Sequence, residues 1–184
     1  MLTDPSVQLV FEARASRVVG VSTRLFRREL SQAGLIRAVR LKPGAVQVVL
    51  PIESAAALTD RVVPLSTLFP RLGALERAVL AGDDDAGFAA LEAWLAPRLR
   101  TPTSAVQLAV GTIERIRADR DVTSVEQVCR IAGVSIRPLQ RLFRDSVGVS
   151  PKWVIRRERL RDAAVELEKA DATSLAELAN ALGY

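Results

Sequence analysis

Up to about residue 52 the apolar residues of this chain come in short β-branched runs, and from about residue 54 their spacing changes toward the helical period. The runs "VQLVF" (7–11), "RVVGVSTRLF" (17–26) and "LIRAVRL" (35–41) read as strands, with "LKPGAV" supplying a Pro43-Gly44 turn between extended stretches. Residues 6–52 are therefore expected to be β-rich. "LGALERAVLAG" then reads as a helix stopped by Gly82, and "DDDAGFAALEAWLAPRL" opens with acids suited to a helix N-terminus. Phe88, Leu91, Leu95 and Leu99 lie on one stripe of that helix, which either packs inside the subunit or pairs two subunits.

"RTPTS", residues 100–104, has linker composition. Beyond it the pattern predicts helices over 104–119, about 124–132, 136–147, 151–169 and 174–182. "SVEQVCRIAGV" and "SLAELANALGY" repeat one pattern: Ser, an acid two residues later, apolar residues at matching offsets, and Gly near the end. In the first copy Thr123 or Ser124 caps the helix, with Glu126 or Gln127 completing a capping box, and Gly133 takes the left-handed turn that ends it. Ser135 is the N-cap of the following helix. Pro138 then falls on the third helical position, where no intrahelical N–H is lost, and the cap bond goes to the Arg137 amide. Two short helices joined in this way have the layout of a helix-turn-helix.

The polar face of the second helix carries Arg137, Gln140 and Arg141 at i, i+3 and i+4, against Leu139, Phe143 and Val147 as anchors. Arg donates twice to guanine O6 and N7, and Gln pairs with adenine N6 and N7, so these residue types suit major-groove reading. A merely solvated helix face is the alternative. "GVSPKWVIRRERLRDAAVELEKA" starts the next helix with Ser150 as N-cap and Pro151 at N1. Trp153, Leu160, Ala164 and Leu167 form its expected inner face; Lys152, Arg156 and Arg159 form a basic one suited to phosphates, unless salt bridges to Glu158, Asp162 and Glu166 absorb it.

Charge sharpens this picture. The 184 residues carry 26 Lys plus Arg and 21 Asp plus Glu, a net +5. Residues 137–161 alone hold eight basic residues and two acids, so the basic field is concentrated there. There is no His and one Cys, which removes His-dependent triads, His metal sites and an intramolecular disulfide. Cys129 reads as a small core hydrophobe. Asp83, Asp84 and Asp85 are the only acidic run to suggest an enzyme, and neither a paired base nor a phosphate-cradling Gly-rich loop accompanies it. No catalytic residue, metal or cofactor is expected. The N-terminus lacks signal-peptide character and no apolar run reaches spanning length, so a soluble, cytoplasmic protein without membrane association is expected.

"GVS" at 133–135, "LQRLF" at 139–143, "VGVSPK" at 147–152 and "RL" at 159–160 followed by Ala163 resemble the first helix-turn-helix and connecting helix of the AraC/XylS family of bacterial transcription regulators. The resemblance covers about residues 104–184. It implies a sequence-specific DNA-binding regulator whose base contacts fall on Arg137, Gln140 and Arg141, with Ser135, Arg144, Lys152 and Arg156 as phosphate candidates. "ATSLAELANALGY" resembles the opening of the family's second helix-turn-helix, and the chain stops at Tyr184 before a second recognition helix; a fragment, or a reduced footprint on DNA, is the expectation. Residues 1–100 resemble, through "RLKPGAV" and "ALTDRVVPLSTLF", the N-terminal ligand-sensing region of such regulators, apparently trimmed at its start.

The fold expected is thus α+β: a β-rich then helical sensing or dimerisation region over 1–100, followed by an all-α helix-turn-helix domain over 101–184. The partners implied are double-stranded operator DNA, a small-molecule effector and a second copy of the chain. A rival reading is an interaction protein that dimerises through residues 73–99 and binds operator poorly. Arg37, Arg40 and Lys42 suggest an anion-binding strand face, or simply protection of an edge strand.

Overall fold

The computed structural model describes residues 5–13, 15–24 and 34–169, with the side chains of residues 168 and 169 excepted. The chain is α+β, an antiparallel sheet followed by helices. Four strands, β1 (Gln8–Glu12), β2 (Arg17–Val19), β3 (Ile36–Arg40) and β4 (Val62–Pro64), lie in the order β3-β1-β2-β4, all neighbours antiparallel. In β1, Leu9 stands opposite Val18 of β2 and Val39 of β3. Val7, Leu9, Phe11 and Val18 are fully buried. Val10 is buried as well, so β1 is covered on both faces, whereas β2 buries only Val18 between half-buried neighbours.

The strand prediction fails after the Pro43-Gly44 turn. Residues that were expected to be extended form a one-turn helix, α1 (Val46–Val49). Gly44 adopts φ +86°, and a Cβ there would lie 3.2 Å from the Val110 nitrogen. The turn is thus pressed against a helix of the C-terminal half, and the chain coils there instead of returning to the sheet. β2 is also shorter than "RVVGVSTRLF" suggests. It ends at Val19, and beyond it the backbone bonds to the 58–61 turn through Gly20 N to Arg61 O and Asp60 N to Val21 O.

A 3-10 turn (Ala55–Leu58), β4 and the short α2 (Leu65–Leu68) lead into the helical hairpin α3 (Gly73–Leu80) and α4 (Asp84–Leu95). Asp83 caps α4 by accepting from Ala86 N at 2.9 Å, so the acidic run is a helix start. Gly82 takes φ +69° between the two helices. The α4 stripe splits: Leu91 is buried and Leu95 packs at the core edge, whereas Phe88 and Leu99 are 44% and 55% exposed.

Arg37 is buried at 3% exposure and ties β3 to this hairpin. It donates to Asp84 Oδ1 from Nε (3.1 Å) and Nη2 (2.9 Å), and to the carbonyls of Val79 and Gly82. A Cβ on Gly87 would come within 2.5 Å of this guanidinium, so the helix carries glycine where the arginine passes. The expectation that Arg37, Arg40 and Lys42 share an anion-binding face is therefore wrong. Arg37 turns inward and is saturated by acceptors; Arg40 and Lys42 are exposed, Lys42 beside Glu114 at 3.4 Å.

The linker residues precede α5 (Ser104–Ala118), capped by Thr103, and then come α6 (Val125–Ala132), α7 (Ile136–Ser146) and α8 (Pro151–Lys169). Val106, Ala109, Thr112, Ile113 and Ile116 form the buried stripe of α5. The buried apolar cluster runs from Val7, just before β1, to Ile155 in α8. Among the described residues no helix is long and apolar enough to cross a membrane. The repeat at 174–184 lies outside the described residues.

Candidate nucleic-acid interface

Local signals build the α6–α7 pair. Ser124 accepts from Gln127 N, and the Gln127 side chain accepts from Ser124 N at 2.8 Å, a complete capping box. Gly133 ends α6 in the left-handed region at φ +67°, and Val134 N reaches back to Cys129 O at 3.2 Å. Cys129 is half-buried and packs against the core as expected. Ser135 has N-cap backbone geometry, yet its side chain makes no cap bond, contrary to the expected link to Arg137. Pro138 at the third helical position has no N–H, so one of the two usual cap partners is missing. Ser135, Ile136 and Arg137 at this helix start are all exposed.

Leu139, Phe143 and Val147 are fully buried and pin α7 to the core. Arg137, Gln140 and Arg141 are exposed on the opposite side and make no hydrogen bond or ion pair among the described residues. Arg144 is also exposed, but its Nε donates to Asp145 Oδ1 at 3.0 Å. That bond from Arg144 chiefly holds the Asp145 carboxyl below the ordinary carboxylate range, helped by a bond from Ser54 and by the charges of Arg144 and Arg141, against partial desolvation.

Ser150 caps α8 by accepting from Trp153 N at 3.2 Å, with Pro151 at the first position. Lys152 and Arg156 are exposed, without partners among the described residues. Arg159 is not with them. It is 4% exposed and donates to the carbonyls of Asp119 (2.9 Å) and Ile116 (2.5 Å) at the end of α5, with Asp162 alongside at 3.3 Å. The salt-bridge alternative holds for this residue: orphan carbonyls at a helix C-terminus and a neighbouring carboxylate absorb the charge. Glu158, 1% exposed, sits between Arg117 (3.0 Å) and Arg161 (2.8 Å). The inner face of α8 therefore runs through Val154, Ile155, Glu158, Arg159, Asp162 and Ala163, and Leu160, expected inside, is 42% exposed. The available signal was Glu158, Asp162 and Glu166 at four-residue spacing, matched by Arg117 on α5 and Arg120 just beyond its end.

Sequence reasoning also missed a brace from the N-terminal half. Thr59 Oγ1 donates to Gly148 O at 2.6 Å, and Ser54 Oγ donates to Asp145 Oδ1 at 3.1 Å and Arg144 O at 3.3 Å. Gly148 is buried at φ +91°, and a Cβ there would lie 2.8 Å from Thr59 Oγ1 and 3.0 Å from Ala55 O. The C-terminal end of α7 thus rests on the 55–58 turn. Beside this contact an open cavity of about 670 Å3 lies between residues 47–53, the 100–106 segment and one flank of α7.

One long helix face, basic and unengaged, is thereby presented outward from a fully buried anchor. Compared with known families, residues 128–184 match the one described as a helix-turn-helix domain, and residues 1–64 match a domain of unknown function, DUF6597. No curated protein and no solved structure matches the chain.

Proposed function

We propose that the chain, which matches a helix-turn-helix family over residues 128–184 and DUF6597 over residues 1–64, is an AraC-type DNA-binding transcription regulator that reads specific duplex sequences through α7. Arg137, Gln140 and Arg141 meet base edges in the major groove, the position that the second helix of a helix-turn-helix occupies. Ser135, Arg144, Lys152 and Arg156 meet flanking phosphates, which fix register without reading sequence. For Arg144 this means exchanging Asp145 for a phosphate oxygen.

The observation that carries the reading is the division of α7. Three polar side chains with the right donor chemistry stand exposed and unpaired at i, i+3 and i+4, while Leu139 and Phe143 on the other side are fully buried. A helix held so firmly presents its polar face at small entropic cost. On this reading residues 101–184 bind DNA, residues 1–100 sense a ligand or pair subunits, and the protein is a non-enzymatic regulator working in the cytoplasm.

The test is selection from randomised duplex DNA at physiological salt, with the wild-type chain beside the Arg137, Gln140, Arg141 triple-alanine variant. A short enriched motif that vanishes in the variant is expected. Identical enrichment from both proteins would overturn base reading by α7. The exposed Phe88 and Leu99 favour a second reading, a surface through which two copies associate across residues 73–99. Sedimentation of Phe88→Asp beside wild type checks it, and an unchanged monomer in both removes it.

A further inference from the structure

The cavity beside α7 shares only Arg141 with the reading above. Its walls come from three stretches far apart in sequence: residues 47–53, the segment entering α5, and the turn residue Val134 with the flank of α7 that carries Pro138, Arg141, Leu142 and Asp145. About 670 Å3 at a junction between two parts of a chain is the size and placement typical of small-ligand sites. Val48, Ile52 and Leu108 face it from the other walls, so much of its lining is apolar.

The charged side chains of the lining are Arg100, Arg141, Glu53 and Asp145. Asp145 is engaged by Arg144 and Ser54, and Glu53 is exposed to solvent. Arg100 has one long contact to Leu50 O at 3.5 Å, and Arg141 makes no hydrogen bond or close ion pair among the described residues, its charge acting only weakly on Asp145. The start of α5 adds to this field. Thr103 satisfies the amides of Val106 and Gln107, no acid occupies the first turn, and Ser104 and Ala105 line the cavity. With Asp145 paired to Arg144, the lining keeps Arg100 and Arg141 against Glu53 alone, so the apolar walls carry a small net positive charge.

We propose that this cleft binds a small organic acid, its carboxylate on Arg141 and Arg100 and its apolar body against Ile52, Val134 and Leu142. Arg141 sits at the border between the cleft flank of α7 and its outward face, four residues from Arg137 and from Asp145. Ligand and DNA then compete for one guanidinium, and each weakens the other by the same factor. This coupling rests on the base-reading role of Arg141; the binding site itself does not.

The experiment titrates the full chain by calorimetry with phenylacetate and octanoate, and with 2-phenylethylamine and 2-phenylethanol as shape-matched controls. Saturable binding of at least one acid, and of neither control, is expected. Arg141→Ala should weaken it at least about tenfold, the loss of one charged hydrogen-bond partner. Ala105→Trp, at an exposed position on the cavity wall, should abolish it, with circular dichroism showing that the variant folds. Should that variant not fold, the Arg141→Ala result decides alone. Absence of saturation by both acids, equal binding of amine or alcohol, or undiminished binding in Arg141→Ala would each overturn the site. Loss of duplex affinity in Ala105→Trp, with no acid bound by wild type, would also overturn it and assign the cleft to the DNA backbone. An acid that binds a chain with no motif in the selection would leave the site standing and remove only the base-reading proposal.

Discussion

Gly148→Ala probes the join between the two halves of the protein. Gly148 sits at φ +91°, where an L side chain adds strain, and its Cβ would meet Thr59 Oγ1 at 2.8 Å and Ala55 O at 3.0 Å. A left-handed backbone costs a non-glycine residue about 1–2 kcal/mol. Displacing Thr59 also loses its 2.6 Å bond to Gly148 O, a buried hydrogen bond being worth about 1 kcal/mol. The sum is about 2–3 kcal/mol of lost stability. Urea unfolding followed by the fluorescence of Trp94 and Trp153 reads this as a lower midpoint at unchanged slope. The clash component is isolated by a cycle with Thr59→Ala. That change should cost about 1 kcal/mol alone and much less in the Gly148→Ala background, where the bond is already gone. A Gly148→Ala loss below about 0.5 kcal/mol, the level of an ordinary surface change, or strict additivity with Thr59→Ala, would refute the brace.

Other perturbations separate the remaining parts. Arg141→Ala should cost about 1–3 kcal/mol on the selected duplex and relax preference at one base pair, whereas Lys152→Ala should weaken all duplexes alike and reduce the salt slope by about 1; fluorescence anisotropy on matched and scrambled DNA distinguishes them. Glu158→Ala leaves Arg117 and Arg161 facing each other around a buried gap, and should destabilise by about 3 kcal/mol, discounted for the partial exposure of both arginines; a urea midpoint close to wild type would show the pairs contribute nothing. The depressed Asp145 carboxyl has a simple sign: its folded value lies below its unfolded one, so its stabilisation is complete above about pH 5 and fades as pH falls through the folded value. The stability gap between wild type and Asp145→Asn should therefore be constant at neutral pH and shrink in acid, and a gap that widens in acid would contradict the Arg144 and Ser54 bonds.

The helix-turn-helix was legible because its instructions are local. Ser124 with Gln127, Gly133, and Ser150 with Pro151 each determine the backbone within a turn or two, and apolar period alone separates Leu139 and Phe143 from Arg137, Gln140 and Arg141. The same holds for β1 and β3, whose short β-branched and apolar runs need no partner to be recognised. What sequence could not settle was the fate of groups whose partners lie far along the chain. Arg37 and Arg40 look alike until Asp84 and two carbonyls 42 to 45 residues away claim one of them. Arg159 reads as a phosphate ligand until the end of α5 supplies Ile116 O and Asp119 O. A charge is settled by the acceptors that surround it, and those are assembled only by packing. The extended reading of residues 46–49 failed for the same reason, since the turn before them is pressed against α5. Sequence by itself determined the helices, the caps at Ser124 and Ser150, and which face of α7 is polar. Only the tertiary structure decided which arginines are held by carbonyls and carboxylates, and that the end of α7 rests on the N-terminal half.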